Sequence, residues 1–281
     1  MTSMLIYKWP ALSGYMLQQV APDANVLPAE PGETWETVLE RLPATCDRFW
    51  FHVACTIATS FPTGRMQLLS ELAQRGIQTV NALVNDVSKS YVQRFNREHG
   101  FPDVAADPAG DPDELLIVKT NDNCVGDAEQ YLSKSARDLL GLEPSPPAGF
   151  QYQVLPRCQI DPAYWSDPGL VCERFIENRL GVWYRAYLRR PKMALVQFRS
   201  AARIKKVDPS TRMQITWLRT DDDSCGSSTI ATLMLGFINE FQLDFGAVDV
   251  VTDLNGFAAV IDVNPTPWRT VQPGVAEYLA G

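Results

Sequence analysis

The most informative segment of this sequence is Asp244-Phe-Gly-Ala-Val-Asp-Val-Val-Thr-Asp-Leu-Asn-Gly-Phe-Ala-Ala-Val-Ile-Asp-Val-Asn264. Within it, Asn255-Gly256 separates two runs rich in β-branched residues. This pair predicts a hairpin with a two-residue turn, because both positions of such a turn need positive φ. In the register that the turn sets, Asp249 faces Asp262, and Asn264 points to the same side two residues later.

The two faces of this predicted hairpin differ in character. One face pairs Val248 with Val263 and Val250 with Ile261, and belongs to a core. On the other face, two ionised carboxylates about 5 Å apart repel each other, which raises the pKa of the pair unless a cation lies beside them. Without a metal, Asp249→Asn is therefore expected to melt no lower than the unchanged chain.

A divalent ion would offset this repulsion. Two carboxylates and one amide carbonyl form an all-oxygen ligand set that suits Mg²⁺, with Mn²⁺ as an alternative ion. A solvated acidic hairpin, whose Asp and Asn residues only end strands, is the alternative that the hairpin alone leaves open.

The composition narrows the class of protein. The 281 residues are 46% hydrophobic and 21% charged, which fits a globular chain with a large core. No run approaches the roughly 18 apolar residues of a membrane span, and no cleaved signal is evident, so a cytoplasmic protein is expected. Six cysteines without a Cys-x-x-Cys pair favour reduced thiols over a structural zinc site.

The charge distribution is uneven. The net charge of −8 argues against a nucleic-acid or anionic-membrane binder. Between Glu173 and Arg219, however, twelve basic residues stand against three acidic ones. This segment is either a solvated strand surface or a local field for a polyanionic small molecule.

An α/β fold with three parts is predicted along the chain. Residues 1–84 form a small α/β domain with a parallel sheet, residues 85–172 a central subdomain, and residues 173–281 an antiparallel C-terminal subdomain. The predicted strands are Leu5–Tyr7, Arg48–Val53, Ile77–Val84, Leu115–Lys119, Phe150–Leu155, Leu170–Ile176, Val182–Leu188, Ala194–Phe198 and Ile204–Val207.

Helices are predicted between these strands. Pro62 opens one that turns Met66, Leu69, Leu72 and Ala73 inward, and Asp86 caps a second. A third follows the loop Thr120–Asp127 and ends near Leu140, before the Pro-rich connector Glu143–Gly149. A long apolar helix begins at Ser224 or Ser227 and ends at Phe241.

The order of the polar residues resembles the ATP-grasp superfamily, especially the carboxylate-amine ligases that include D-alanyl-D-alanine ligase and the ribosomal-protein glutamate ligases. Those proteins end with an acid, a second acid thirteen residues later, and then x-Asn before Pro or Gly. This chain has Asp249, Asp262, Asn264 and Pro265 at that spacing. The resemblance implies an ATP-grasp fold behind a small N-terminal α/β domain, with Mg²⁺ held by Asp249, Asp262 and Asn264 against the nucleotide phosphates.

Three further matches lie upstream. The family has one lysine at the start of a helix and a second at the end of a strand. The segments that match these positions are Asn85–Lys89 and Leu115–Lys119. The resemblance implies that Lys89 and Lys119 contact ATP phosphates. The strand Leu170–Ile176 resembles the hinge that binds adenine. The resemblance assigns the hinge role to Glu173, Arg174, Phe175 and Ile176. It assigns a catalytic role, neutralising the transferred phosphate, to Arg185 and to Arg199 or Arg203.

Two departures from the family pattern stand out. The loop Thr120–Asp127 has one Gly where relatives have a richer Gly-Ser loop, and Asp262 stands where many relatives have Glu. The loop therefore predicts an unusual lid over the phosphates.

The resemblance implies an ATP-dependent ligase that forms an amide or peptide bond through an acylphosphate and releases ADP and phosphate. The expected partners are ATP, a carboxylate substrate and an amine substrate, either amino acids or peptides, and a homo-oligomer is left open. A kinase of the same fold and a non-catalytic nucleotide-binding protein are the alternatives. Trp183 and Trp268 are among five residues that could line a pocket, although core packing is the usual place of Trp.

Overall fold

The computed structural model describes residues 3–142, 150–178, 180–204, 229–268, 272 and 274–281, and the backbone of 214–219. The connector Glu143–Gly149, Cys225 and the predicted helix starts at Ser224 and Ser227 lie outside these residues. The other five cysteines are free thiols. In the described part of the chain, no helix is long and apolar enough to cross a membrane.

The first sheet is parallel throughout, as predicted for the N-terminal part. Its order is β2-β1-β3-β4, from β1 (Ser3–Trp9), β2 (Asn25–Pro28), β3 (Cys46–Val53) and β4 (Gln78–Val80). Three helices accompany it, α1 (Leu17–Val20), α2 (Trp35–Glu40) and α3 (Arg65–Gln74). The sequence patterns missed β2, α1 and α2, which are only four to six residues long.

The inward face of α3 was predicted wrongly. The helix buries Arg65, Leu68 and Leu72, whereas Met66 and Ala73 are exposed. The reason is that the Arg65 guanidinium donates a hydrogen bond to the Asn81 carbonyl at 2.8 Å and lies over the Phe51 ring, so a charged residue takes the inward face. The predicted strand Ile77–Val84 is shorter in the structure because Asn81 adopts a left-handed conformation with φ of 55°.

The second sheet is antiparallel, in the order β6-β5-β7, and consists of β5 (Leu115–Thr120), β6 (Gln153–Pro156) and β7 (Leu170–Arg174). Helix α4 (Lys89–Glu98) precedes it and is capped by Ser88, not by Asp86. The Asp86 carboxylate instead accepts a hydrogen bond from the Ser88 N–H at 2.8 Å. The predicted helix to Leu140 is reduced to α5 (Lys134–Leu139), which follows two 3₁₀ turns.

The third sheet has five antiparallel strands in the order β10-β9-β8-β11-β12. They are β8 (Val182–Arg189), β9 (Lys192–Arg199), β10 (Gln214–Arg219), β11 (Phe245–Thr252) and β12 (Ala258–Asn264), with helices α6 (Thr229–Phe241) and α7 (Val275–Ala280). The predicted strand Ile204–Val207 lies mostly outside the described residues, and Ile204 itself is not in a strand.

Both faces of the five-stranded sheet are covered. On one face, α4 and α6 pack against the hairpin, where Val92, Phe237, Val248 and Val260 belong to one buried cluster. The other face packs against α1, α7 and the first sheet, in a cluster that includes Leu17, Trp50, Trp183, Phe245 and Val275. The predicted α/β fold class, with a parallel first part and an antiparallel last part, is confirmed. The division into three domains stays a prediction.

The β11–β12 hairpin differs from its predicted turn but keeps its predicted polar pair. The loop has five residues, Asp253–Phe257, and the Asp253 carboxylate accepts hydrogen bonds from the N–H groups of Asn255 and Phe257, both at 2.8 Å. Val250 therefore pairs with Val260 and not with Ile261. A bulge beyond Val250 then restores the register, so Asp249 pairs with Asp262 as predicted.

Candidate active site

A cleft of about 490 Å³ brings together almost all the predicted site residues. The second and third sheets and the start of α4 supply its walls. The predicted residues that line it are Lys89, Lys119, Glu173, Arg174, Phe175, Ile176, Arg185, Arg203, Asp249, Asp262 and Asn264.

Arg199 is the predicted site residue that does not line the cleft. It is the last residue of β9, where its backbone pairs with Val182 and Gln214, and its side chain is exposed. Between the two alternatives left open by the sequence, the structure brings Arg203 to the cleft and leaves Arg199 outside.

The carboxylate pair has a partner that the sequence patterns did not predict. Arg185 lies directly opposite Asp249 on the neighbouring strand β8. Its Nε and Nη2 atoms donate to the two Asp249 carboxylate oxygens, each at 2.6 Å. This is the bidentate geometry that makes Arg–carboxylate pairs strong.

The pKa values of Asp249 and Arg185 depend on burial and on the charges of Arg185, Asp249 and Asp262. Burial raises the pKa of the Asp249 carboxyl and the Asp262 charge adds to the rise, while Arg185 opposes both. Burial alone would lower the pKa of the Arg185 guanidinium, but the Asp249 charge and hydrogen bonds hold that pKa well above its usual range. The expected repulsion between the two acids is therefore largely offset by Arg185, and the expectation that Asp249→Asn melts no lower is revised.

Asp262 is the carboxylate without such compensation. Its Oδ1 atom is buried and has no hydrogen-bond partner among the described residues. Beside it, the Asn264 carbonyl oxygen accepts from the Thr266 N–H at 2.9 Å, and the Asn264 amide lies 3.6 Å from the Cys124 sulfur. A buried, unpartnered carboxylate oxygen normally binds a donor or a cation.

These features predict opposite stability effects for the two acids. Asp249→Asn should lower the free energy of unfolding by roughly 2 kcal/mol or more, because the buried Arg185 charge loses its counter-charge. Asp262→Asn should melt no lower than wild type, because it removes a charge that lies beside Asp249 and forms no ion pair with the described residues. Thermal melts of both variants without ligand measure this. Equal destabilisation by the two substitutions would contradict the assignment of Arg185 to Asp249.

Lys119 and Lys89 are both buried at the cleft wall. The Lys119 amine forms an ion pair with the Glu173 carboxylate, whose other oxygen accepts from the Gln93 amide at 2.7 Å. The Lys89 amine donates to the Asp122 carbonyl at 2.5 Å. Gln93 lies one helical turn beyond Lys89 on α4. This helix therefore carries Lys89 itself and positions the Lys119 amine through Gln93 and Glu173.

Lys119→Met is expected to weaken ATP binding about 10- to 100-fold, the range of one or two charge-assisted hydrogen bonds. Turnover at saturating ATP should fall less, because we place this amine beside the ground-state phosphates. The dissociation constant for ATP measures the effect, with Lys134→Met as a control, since Lys134 is exposed on α5 away from the cleft. An unchanged ATP affinity in Lys119→Met would show that this amine serves only Glu173.

The end of the cleft at the predicted hinge residues contains a cation that the sequence did not place there, Arg203. The Arg203 guanidinium lies over the Phe175 ring, 5.1 Å from its centroid. The Arg174 guanidinium donates to the Asp103 carbonyl and lies over Phe257. Arg203 thus lies beside the predicted hinge residue Phe175, whereas Arg185, the other predicted catalytic arginine that lines the cleft, contacts Asp249.

Several cleft residues had no recognised signal in the sequence. Cys124 and Val125 have φ of 48° and 63°, a left-handed pair that neither residue type favours, so the sequence could not indicate it. Cys124 lines the cleft, and protein atoms surround its thiol. Burial raises the pKa of this thiol to about 12, and the Asp262 charge is the next largest cause. Burial likewise raises the pKa of Tyr152 to about 12. Asp127, Tyr187 and Ile261 also line the cleft.

Comparison with known proteins gives a consistent fold. No protein-family model and no curated protein matches the sequence. Among solved structures, the ATP-grasp ligase PsnB in complex with a minimal precursor superposes with a TM-score of 0.51 at 12% identity, covering 94% of this chain and 91% of PsnB. D-alanine-D-alanine ligase from Bacillus anthracis has a TM-score of 0.51 at 13% identity, with 96% and 88% covered.

A second PsnB complex, with a phosphomimetic variant of the minimal precursor, Mg and ADP, has a TM-score of 0.51 at 11% identity and covers 100% of this chain and 97% of PsnB. The mixed α/β architecture, with several sheets and helices, agrees with these structures. The chain therefore has the ATP-grasp fold.

Proposed function

We propose that this protein is an ATP-dependent carboxylate-amine ligase that forms an amide or peptide bond and releases ADP and phosphate. The observation that carries the proposal is the convergence, in one cleft of an ATP-grasp fold, of two buried amines, a hinge strand and an Arg–carboxylate group. Similar solved structures include ATP-grasp ligases, which supports this kind of reaction over others of the fold.

The residues present fit a magnesium ion. Asp262, Asn264 and Asp249 would hold it, and the buried, unpartnered Oδ1 of Asp262 supports this assignment. No group of three or more His, Cys, Asp or Glu side chains that could hold a metal occurs in the described part of the chain. We therefore expect Mg²⁺ to bind together with the nucleotide, whose phosphates complete its coordination. When bound, the ion supplies Lewis-acid stabilisation of phosphate charge.

The chain's own residues position the nucleotide in this proposal. Glu173, Arg174, Phe175 and Ile176 form the base-binding hinge, and Arg203 lies over Phe175 at the same end. Lys89 and Lys119 contact the phosphates, since an ammonium on a long stem can reach phosphate oxygens. Arg185, fixed by both Asp249 oxygens, directs positive charge to the phosphate that is transferred.

The proposed reaction has two steps. An oxygen of the substrate carboxylate bonds to the γ-phosphorus, and the bond from that phosphorus to the ADP oxygen breaks. The amine nitrogen then bonds to the acyl carbon of the acylphosphate, phosphate leaves with its bridging oxygen, and the nitrogen loses a proton. Charge develops on the transferred phosphoryl group, where Arg185 and the two lysines stabilise it.

Incubation of the protein with ATP, Mg²⁺ and a panel of amino acids and short peptides tests the proposal. We expect ADP, free phosphate and a product whose mass equals the acid plus the amine minus water, and amounts of each that are lower by about 100-fold or more with Asp262→Asn. A phosphorylated product without free phosphate would indicate a kinase. ATP binding without ADP under any combination would indicate a non-catalytic protein.

A further inference from the structure

Trp268 is, with Tyr152 and Tyr187, one of the aromatic residues of the cleft that the proposed nucleotide contacts do not use. It lines the cleft and is 49% exposed, in contrast to Trp183, which is buried in the core. It follows the predicted metal ligand Asn264 by four residues. The proposal gives the base-binding role to Phe175 and Ile176, which leaves the Trp268 ring without a part in nucleotide binding.

The position of the Trp268 ring is fixed by residues of the N-terminal part of the chain. The ring stacks on Tyr15, with centroids 4.8 Å apart and planes at 10°. The two residues also form an isolated antiparallel bridge, and the Met16 N–H donates to the Pro267 carbonyl at 2.8 Å. Gly14 has φ of 105°, and a Cβ at that position would overlap the Trp268 ring. The chain thus has a glycine where the ring requires close approach to the backbone.

Tyr15 is supported by two buried residues, His52 and Lys8, and the Lys8 amine lies 5.4 Å from the centroid of the Tyr15 ring. The His52 ring meets the Tyr15 ring edge to face, with centroids 4.8 Å apart. His52 is fully buried, and its pKa is lowered to about 3 by burial and by Lys8, so it is neutral at pH 7. These buried residues thus support Tyr15, Tyr15 supports Trp268, and one part of the Trp268 surface remains open to the cleft. Such preorganised aromatic surfaces bind flat or apolar groups at little entropic cost.

We propose that the open face of Trp268 binds an aromatic or large apolar side chain of the amino acid or peptide that the protein ligates. This inference rests on the proposed function and names the class of its second ligand. Trp268 is then a specificity-determining residue, because an apolar ring cannot compensate the lost hydration of a charged side chain.

The test follows the Trp268 indole directly and does not need turnover. The protein is labelled with ¹⁵N at tryptophan indoles, and the Trp268 signal is identified by its loss in Trp268→Phe. Phenylalanine and Ala-Phe-Ala are titrated in the presence of Mg²⁺ and a non-hydrolysable ATP analogue, with glutamate and Ala-Glu-Ala as polar counterparts. We expect a Phe probe to shift the Trp268 signal and to bind at least about tenfold tighter than its Glu counterpart.

Variants separate specificity from folding. Trp268→Ala should abolish the preference for the Phe probe, Trp268→Phe should keep most of it, and Leu254→Ala, at an exposed site on the hairpin loop, should not change it. MgATP should raise the melting temperature of all three variants as it does that of wild type. The inference is overturned if neither Phe probe moves the Trp268 signal, or if Trp268→Ala retains the preference. A wild-type protein that MgATP does not stabilise would instead contradict the proposed function.

Discussion

Asp262→Asn should lower the rate of Mg²⁺-dependent ADP formation by about 100-fold or more, which is the usual effect of losing one charged contact to the transition state. The physical reason is that we assign the ion to the buried Oδ1 atom of Asp262, which has no hydrogen-bond partner among the described residues. The substitution keeps the shape of the side chain and removes its charge. Initial rates of ADP release across a range of Mg²⁺ concentrations measure the effect.

A lower rate of Asp262→Asn supports the metal assignment only if the variant remains folded. We expect it to melt no lower than wild type without ligand but to gain less stability from MgATP, because only the ligand-bound state uses the carboxylate. Asp138→Asn, on the exposed side of α5, is a matched control that should retain full activity. An Asp262→Asn protein with wild-type rates at all Mg²⁺ concentrations would disprove the metal assignment.

Arg185→Ala should reduce turnover by about 100- to 1000-fold while weakening ATP binding much less, because we place this guanidinium where charge develops during phosphoryl transfer. It should also lower the free energy of unfolding by about 3–5 kcal/mol, because Asp249 would remain buried without its partner. Steady-state kinetics and denaturant melts measure the two effects separately.

A double variant separates catalysis from folding. Adding Asp249→Asn to Arg185→Ala removes both charges of the pair and should restore part of the lost stability, since no uncompensated charge remains. Activity should not return. Arg185→Lys keeps the charge but lacks the planar guanidinium. Its activity and stability should therefore lie between those of wild type and those of Arg185→Ala. Stability of Arg185→Ala equal to that of wild type would contradict the buried pair.

The polar pair of the hairpin was predictable from the sequence even though its turn was not. The two-residue turn is wrong, because Asp253 closes a five-residue loop through its own side chain. That loop shifts the pairing by one residue, and the bulge beyond Val250 shifts it back. Near Asp249 and Asp262 the strands alternate between apolar and polar residues. Burial of the apolar residues constrains the register more strongly than the turn does.

The contacts that complete the site depend on long-range pairing that one sequence does not reveal. Arg185 and Asp249 are 64 residues apart and meet only because β8 and β11 are neighbours in the third sheet. Likewise, the choice between Arg199 and Arg203 depends on where β9 ends and on the path beyond it. The left-handed pair Cys124–Val125 has no compositional signal, since Gly, Asn and Asp are the residues that favour positive φ.

The proposed acylphosphate intermediate can be tested by following the oxygen atoms of the acid. Candidate amino acids and peptides carrying ¹⁸O in both carboxylate oxygens are incubated with the protein, ATP, Mg²⁺ and an amine, and the released phosphate is analysed by mass. Formation of an acylphosphate requires that one ¹⁸O atom pass from the acid to each phosphate that accompanies the condensed product. Phosphate that carries no ¹⁸O while a condensed product accumulates would contradict the proposed mechanism.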